Sequence, residues 1–228
     1  MTRPAAALDA PLDVWRAQLQ GAMDEAIAWW PDASRWTRGQ VREGRSVATG
    51  WVTPRGCTAQ RGYFCRMVLP MTVGAAACLF GRPALTHLGR WNREFVAGRT
   101  LRVLWEAPGD EAWVVAVRYR TPRPLADRGY VYGVRVLLGD DAMWIVYDAA
   151  SDEAGDPLLR GTARARLHST AYRLQEDGAG GSVVEHLLVT DLGGRIPRLL
   201  QHHALKGPLV EAQHRDLAAL AALAAGRA

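Results

Sequence analysis

The sequence predicts an α+β fold, one large antiparallel sheet of about nine strands curled around a long C-terminal helix. Three observations predict it. Short apolar segments recur through most of the chain, separated by brief turns rich in glycine, proline and aspartate, which is the pattern of successive antiparallel strands. Helix-spaced apolar residues appear at the two ends and in one central stretch. A sheet of nine strands tends to curl, and the long amphipathic segment after Asp191 is the element left to fill its concave face.

The elements follow in order. Residues 11–30, PLDVWRAQLQGAMDEAIAWW, place Trp15, Leu19, Met23, Ile27 and Trp30 at steps of three and four, and Pro31 stops the helix. Three strands follow, WTRGQVREG, SVATGWVTP and GYFCRMVLP. The period then changes: TVGAAACLFG and PALTHLGRWNREFV predict two short helices, the second opened by Pro83. Six further strands come next: RTLRVLWEAP, EAWVVAVRYR, RGYVYGVRVLL, AMWIVYDAAS, RGTARARLHSTAYRLQ and SVVEHLLVTD. No repeat or low-complexity linker divides the series, so residues 1–228 are expected to form a single domain.

The chain from Val189 to Ala224 carries the most local information. Gly193 and Gly194 permit a sharp exit from the last strand, and Pro197 suits the first turn of a helix. Gly207–Pro208 interrupts the helical pattern, which predicts a kink or a mobile point in the helix. Leu205, Leu209, Ala212 and Leu220 fall near one face, as core residues or as the lining of a cavity. His202, His203 and His214 have no carboxylate at a spacing that completes a metal site.

Strand parity suggests what faces inward. In EAWVVAVRYR, Arg118 and Arg120 mark the solvent side, so Trp113, Val115, Val117 and Tyr119 point in. In YVYGVRVLL neither face is plainly solvent-directed. Arg135 shares a face with Val131, Gly133 and Leu137. It is expected either to snorkel to solvent or to point inward onto a carboxylate or a ligand polar group. The inward reading adds Arg135 and Leu137 to the candidate ligand-binding residues.

Composition narrows the function. Hydrophobic residues are 49% and charged residues 22%, ordinary for a globular protein. The net charge is +5, with arginine far outnumbering lysine, yet there is no run of five basic residues and no nucleic-acid motif. The basic balance reads as a solvated surface or as attraction to anionic lipid headgroups or phosphates, the latter implying transient contact with an anionic membrane surface, and not as a site for DNA or RNA. Cys57, Cys65 and Cys78 fit no zinc or redox spacing and read as reduced packing residues. No signal peptide and no apolar run of membrane-spanning length occurs, so a soluble cytoplasmic location is expected. There is no Gly-x-Ser-x-Gly elbow, Cys/His pair or phosphate loop, and no catalytic residue, metal or cofactor is assigned.

The order of elements and four local motifs resemble the START family, the lipid-transfer domains related to steroidogenic acute regulatory protein. GRWNREF at 89–95 resembles the family's tryptophan–aspartate region, with Asn92 where aspartate is usual. TPRPLADRGYVYGVR at 121–135 resembles its loop and Arg-Asp-aromatic-valine strand, in the altered order Asp127–Arg128–Gly129–Tyr130. DPLLRGTARA at 156–165 resembles the start of a later strand, and DLGGRIPRLL at 191–200 the junction with the final helix. The resemblance implies a helix-grip fold and one lipid or other hydrophobic small molecule between sheet and helix, gated by the loop 121–128 and the helix. It also implies that an arginine near position 135 lines the cavity. The expected ligand-binding set is Trp113, Val115, Val117, Tyr119, Arg135, Leu137, Leu205, Leu209 and Ala212. Two other functions fit the same fold. One is a polyketide cyclase or aromatase, whose cavity mainly folds and shields its substrate. The other is a ligand-sensing or interaction module.

Overall fold

The computed structural model describes residues 5–30, 36–82, 84–121, 123, 125–151, 156–194, 196 and 207–226. A helix α1 (Leu12–Trp29) leads into strands β1 (Trp36–Arg42), β2 (Arg45–Val52) and β3 (Gln60–Leu69). Two short helices follow, α2 (Val73–Ala77) and α3 (Ala84–Trp91). Then come β4 (Phe95–Ala107), β5 (Asp110–Tyr119), β6 (Arg128–Leu138) and β7 (Met143–Ala149). A 3-10 turn (Pro157–Leu159) precedes the two-residue strands β8 (Ala163–Arg164) and β9 (Arg166–Leu167). The chain continues through β10 (Thr170–Glu176), β11 (Ser182–Asp191) and α4 (Pro208–Ala224).

Nine strands form one antiparallel path, β1-β2-β3-β11-β10-β7-β6-β5-β4, with β8 and β9 attached beside it. The path ends at β1 and β4 and does not close into a barrel. Both end strands are irregular. The β1–β2 register shifts once, between Thr37 and Gln40, and the β4–β5 register shifts at three places. Such bulges add bend and twist to a sheet.

Each face of the sheet has its own core. Helix α1 covers the outer face. Trp15 and Leu19 pack there with Ala112, Val114 and Val131, while Met23, Ala26 and Trp29 pack with Val146, Ala171 and Leu187. The buried stripe follows the true 3.6-residue period, so Ala26 and Trp29 take the place the sequence pattern gave to Ile27, which is exposed. Gly133 makes the close approach of the helix possible: a Cβ there would lie 2.6 Å from Trp15 Cζ3. The inner face meets α2, α3 and α4, with Met67, Leu69, Val115, Val134 and Val184 packed against Val210, Leu217 and Leu220.

Two expected elements differ in detail. The single strand expected over 160–175 is three: at Ala165 the chain changes partner from β6 to β11, and at Ser169 (φ 45°) the backbone enters the left-handed region before β10. Pro208 occupies the first turn of α4, where a missing N–H costs nothing, with Gly207 at the N-cap. The preceding stretch 197–206, including Leu205, lies outside the described residues, and so does the kink expected across it.

Local motifs explain several junctions. Asn92 Oδ1 accepts from the backbone N–H of Glu94 (3.2 Å) and Phe95 (3.0 Å), turning the chain from α3 into β4. Asp156 accepts from Leu158 N (2.8 Å) and pairs with Arg99 (2.6 Å), fixing the 3-10 turn. At the end of β11, Gly193 (φ 59°) passes so close to β8 that a Cβ would sit 1.7 Å from the Arg164 carbonyl oxygen. Only glycine fits that crossing.

Candidate ligand-binding site

A cavity of about 860 Å³ lies between the inner face of the sheet and the helices α3 and α4. Its wall is built by cross-strand register. Paired residues of antiparallel strands share a face. The pairs Trp113↔Val134 and Val115↔Tyr132 therefore line the cavity from β5 and β6. On the other side of β6, Val134 pairs with Tyr147 of β7. Further along, Tyr172 of β10 pairs with His186 of β11, which pairs with Cys65 of β3.

The result is a wall of aromatic rings. Tyr119 meets Tyr130 edge-on at 5.6 Å, Tyr132 meets Tyr147 at 5.6 Å, and Tyr147 meets Tyr172 at 5.9 Å. Tyr172 and His186 stack at 4.0 Å with an interplanar angle of 4°. Phe80 and Trp91 continue the apolar surface from the helical side. Offset and edge-on pairs of this kind hold rings in place.

A few polar groups punctuate the lining. Tyr130 Oη and Thr190 Oγ1 are 3.2 Å apart, and Tyr147 Oη donates to the Phe80 carbonyl at 2.9 Å. Burial pushes the phenols of Tyr119, Tyr130, Tyr132, Tyr147 and Tyr172 upward, so all five stay neutral. Burial lowers the His186 imidazole to about 3, which keeps it neutral as well. The Asp216 carboxyl on α4 is raised to about 7, first by burial and then by the nearby Glu94 charge, against the pull of Arg215. Arg128, at the start of β6, is buried and donates to the Ala126 carbonyl.

The margin of the cavity is formed by Arg120, Thr121, Arg123 and Leu125, with Leu192, Ile196 and the start of α4. The loop at this margin is tied down by Asp127, which accepts from Arg118 Nε (3.0 Å) and Nη2 (2.7 Å). The altered Asp127–Arg128 order thus gives a loop clamp followed by a buried arginine.

The structure brings together Trp113, Val115, Tyr119, Leu209 and Ala212 in the lining. Val117 lies in the same inner core, fully buried. Arg135 and Leu137 are a correction. Both point to the outer face, where Arg135 Nε and Nη2 donate to Asp110 (2.8 and 3.0 Å) and Nη1 donates to Gln20 Oε1 (2.7 Å). Leu137 packs there with Met23 and Val146. The parity grouping was right but the face assigned to it was not, because α1 buries the outer face of β6 as fully as the cavity buries the inner one. Tyr130, Tyr132, Tyr147, Tyr172, His186 and Asp216 escaped the sequence reading.

Cys57 Sγ lies 4.0 Å from His168 Nδ1 beneath α1. Burial raises this thiol and lowers this imidazole, so the pair stays neutral and the thiol is not activated.

An open antiparallel sheet gripping a C-terminal helix around an apolar cavity defines a helix-grip domain. The START-domain family model matches residues 73–226, more than half of the chain, and the chain belongs to that family. Solved structures share the fold. Human StAR-related lipid transfer protein 5 superposes with a TM-score of 0.78 at 13% identity, covering 95% of this chain and 99% of that one. Human STARD10 superposes with a TM-score of 0.66 at 14% identity, covering 95% and 82%. A STAR-related lipid transfer protein fragment from Xanthomonas axonopodis gives 0.64 at 20% identity, covering 84% and 99%. No curated protein matches the chain in sequence at a significant level.

Proposed function

We propose that this START-family protein binds one lipid or other hydrophobic small molecule in the cavity between sheet and α4, and carries it between membranes. The observation that carries the reading is the cavity itself. Its volume of about 860 Å³ falls in the range of small-molecule sites, and its walls are mainly aromatic and aliphatic with few polar groups. Apolar ligand surface withdrawn from water contributes about 25 cal/mol per Å², enough to drive affinity without a dense polar network. Thr121, Arg123 and Leu125 of the loop line the cavity together with α4, which supports a gate made by these two elements.

Carriage requires contact with a bilayer. Among the described residues no helix is long and apolar enough to cross a membrane. Contact is then peripheral, through arginines such as Arg120 and Arg123 at the margin of the cavity. The test is mass spectrometry of the organic extract of purified protein. A stoichiometric hydrophobic species is expected. A clean extract, together with failure to take up any amphiphile offered in vesicles, would overturn the proposal.

A further inference from the structure

Three carboxylates among the described residues line the cavity, Glu94, Glu211 and Asp216. Two are satisfied at the surface. Glu94 is ion-paired with Arg215, and Glu211 accepts from Arg42 at 2.6 and 2.8 Å. Asp216 is different. It is 7% exposed, and its fully buried Oδ1 accepts no hydrogen bond. Arg215 Nε comes only to 3.9 Å, beyond hydrogen-bonding range, and its guanidinium is engaged by Glu94.

Nothing in the helix calls for an acid here. Ala212, Asp216 and Leu220 are spaced by four and all line the cavity. An apolar residue at 216 would complete the stripe, and aspartate is a poor residue for a helix interior. A buried carboxylate oxygen with no hydrogen bond, whose cation stands 3.9 Å away, is costly for folding. Its surroundings suit a positive charge: burial chiefly raises the phenols of Tyr119 and Tyr172 and the thiol of Cys65, the Asp216 charge adds to it, and tyrosine rings attract cations through their faces.

The geometry points to a ligand that carries a basic amine on an otherwise apolar body, its ammonium seated on the Asp216 carboxylate within the tyrosine-lined part of the cavity. The inference rests on the proposed binding function and narrows its ligand class. Of the arginines in the lining, Arg120, Arg123 and Arg215 are exposed, while Arg128 at the start of β6 is buried with its Nε unpaired and is the rival anchor, for an anionic group, that the test must separate from Asp216.

The test uses three probes of one chain length, dodecylamine, dodecanol and dodecanoic acid. Each competes at neutral pH with the uncharged dye N-phenyl-1-naphthylamine for the native protein and for Asp216→Asn and Asp216→Leu. A charge-assisted hydrogen bond predicts that the amine displaces the dye at a concentration about tenfold below that of the alcohol. Both variants should erase this advantage, read as the ratio of amine to alcohol on the same protein, while an unchanged far-ultraviolet circular dichroism spectrum and continued displacement by the alcohol show that the cavity remains folded. If Asp216→Asn does not fold, Asp216→Leu carries the test. An amine no better than the alcohol, or an advantage that survives both substitutions, overturns the assignment to Asp216 and leaves the binding function standing. Preference for the acid overturns it too and moves the polar group to Arg128. Displacement by none of the three overturns both the inference and the binding function beneath it.

Discussion

Replacing Arg135 with methionine separates a structural arginine from a ligand-binding one. The substitution removes two hydrogen bonds to Asp110 and one to Gln20 and leaves the aliphatic stem in place. Breaking a fully buried ion pair costs about 3–5 kcal/mol, and an exposed one contributes about 0–1 kcal/mol. Arg135 is 13% exposed and Asp110 33%, so the expected loss lies between, at about 2–3 kcal/mol. For a chain of this length that corresponds to a fall in Tm of roughly 5–10 °C. Urea unfolding followed by tryptophan fluorescence measures it. Asp110 is held below the usual carboxylate range, chiefly by its hydrogen bonds from Arg135. A depressed carboxylate stabilises above its unfolded-state pKa and loses that contribution as pH falls through the folded one. The gap between native and Arg135→Met should therefore be flat above about pH 5 and close on acidification below about pH 4. Ligand uptake should not change, because Arg135 sits on the outer face. A loss under about 0.5 kcal/mol, or weakened uptake at unchanged stability, would refute the reasoning.

Gly133→Ala drives a methyl group into the fully buried Trp15 ring, and overpacking of this kind should cost about 1–3 kcal/mol, read as a lower Tm. Asp216→Leu should stabilise the protein. A carboxyl raised to about 7 stabilises while protonated and loses that contribution as pH rises from its unfolded value. The advantage of the leucine variant should grow from about pH 4 to about pH 7, reaching roughly 2–4 kcal/mol, and a pH-independent difference in thermal scans would contradict the burial argument. Co-sedimentation with anionic liposomes should weaken as ionic strength rises, since each basic residue at such a surface contributes about 1 kcal/mol. Attachment insensitive to salt would count against peripheral contact.

The fold was legible because strands declare themselves by turns and parity. Arg118 labelled one side of β5, and that label placed Trp113, Val115 and Tyr119 in the lining, although the same side is buried farther along at Val114 and Ala116, and Arg120, past the strand end, lies at the cavity margin. Strand β6 had no such label, since α1 covers one side of it and the cavity the other. The missing information was the register across the β5–β6 connection. With Val115 opposite Tyr132 and Ala112 opposite Arg135, parity alone sends the tyrosines in and the arginine out. Gly133 was the available hint, a residue without a side chain on the face where Trp15 must fit. Tyr147 takes its face from Val134 of the neighbouring β6, so the missing label on β6 hid it too, and Tyr172 lies on β10, which pairs with β7 across the intervening β8 and β9, a pairing that periodicity does not report. Asp216 was invisible for another reason: an acidic residue on an amphipathic helix reads as solvent-facing until the cavity shows otherwise.

The irregular register of the outermost strands has a consequence beyond shape. An open sheet presents two rows of unsatisfied backbone groups to any passing chain, and a regular edge is a template for filament growth. Here β4 departs from even pairing at three places along its length and β1 at one. A visiting strand would find no long stretch with the spacing it needs to add on. The bulges that bend the sheet around its helix therefore also serve as its defence against self-association, at the two borders where a barrel would have closed the ring instead.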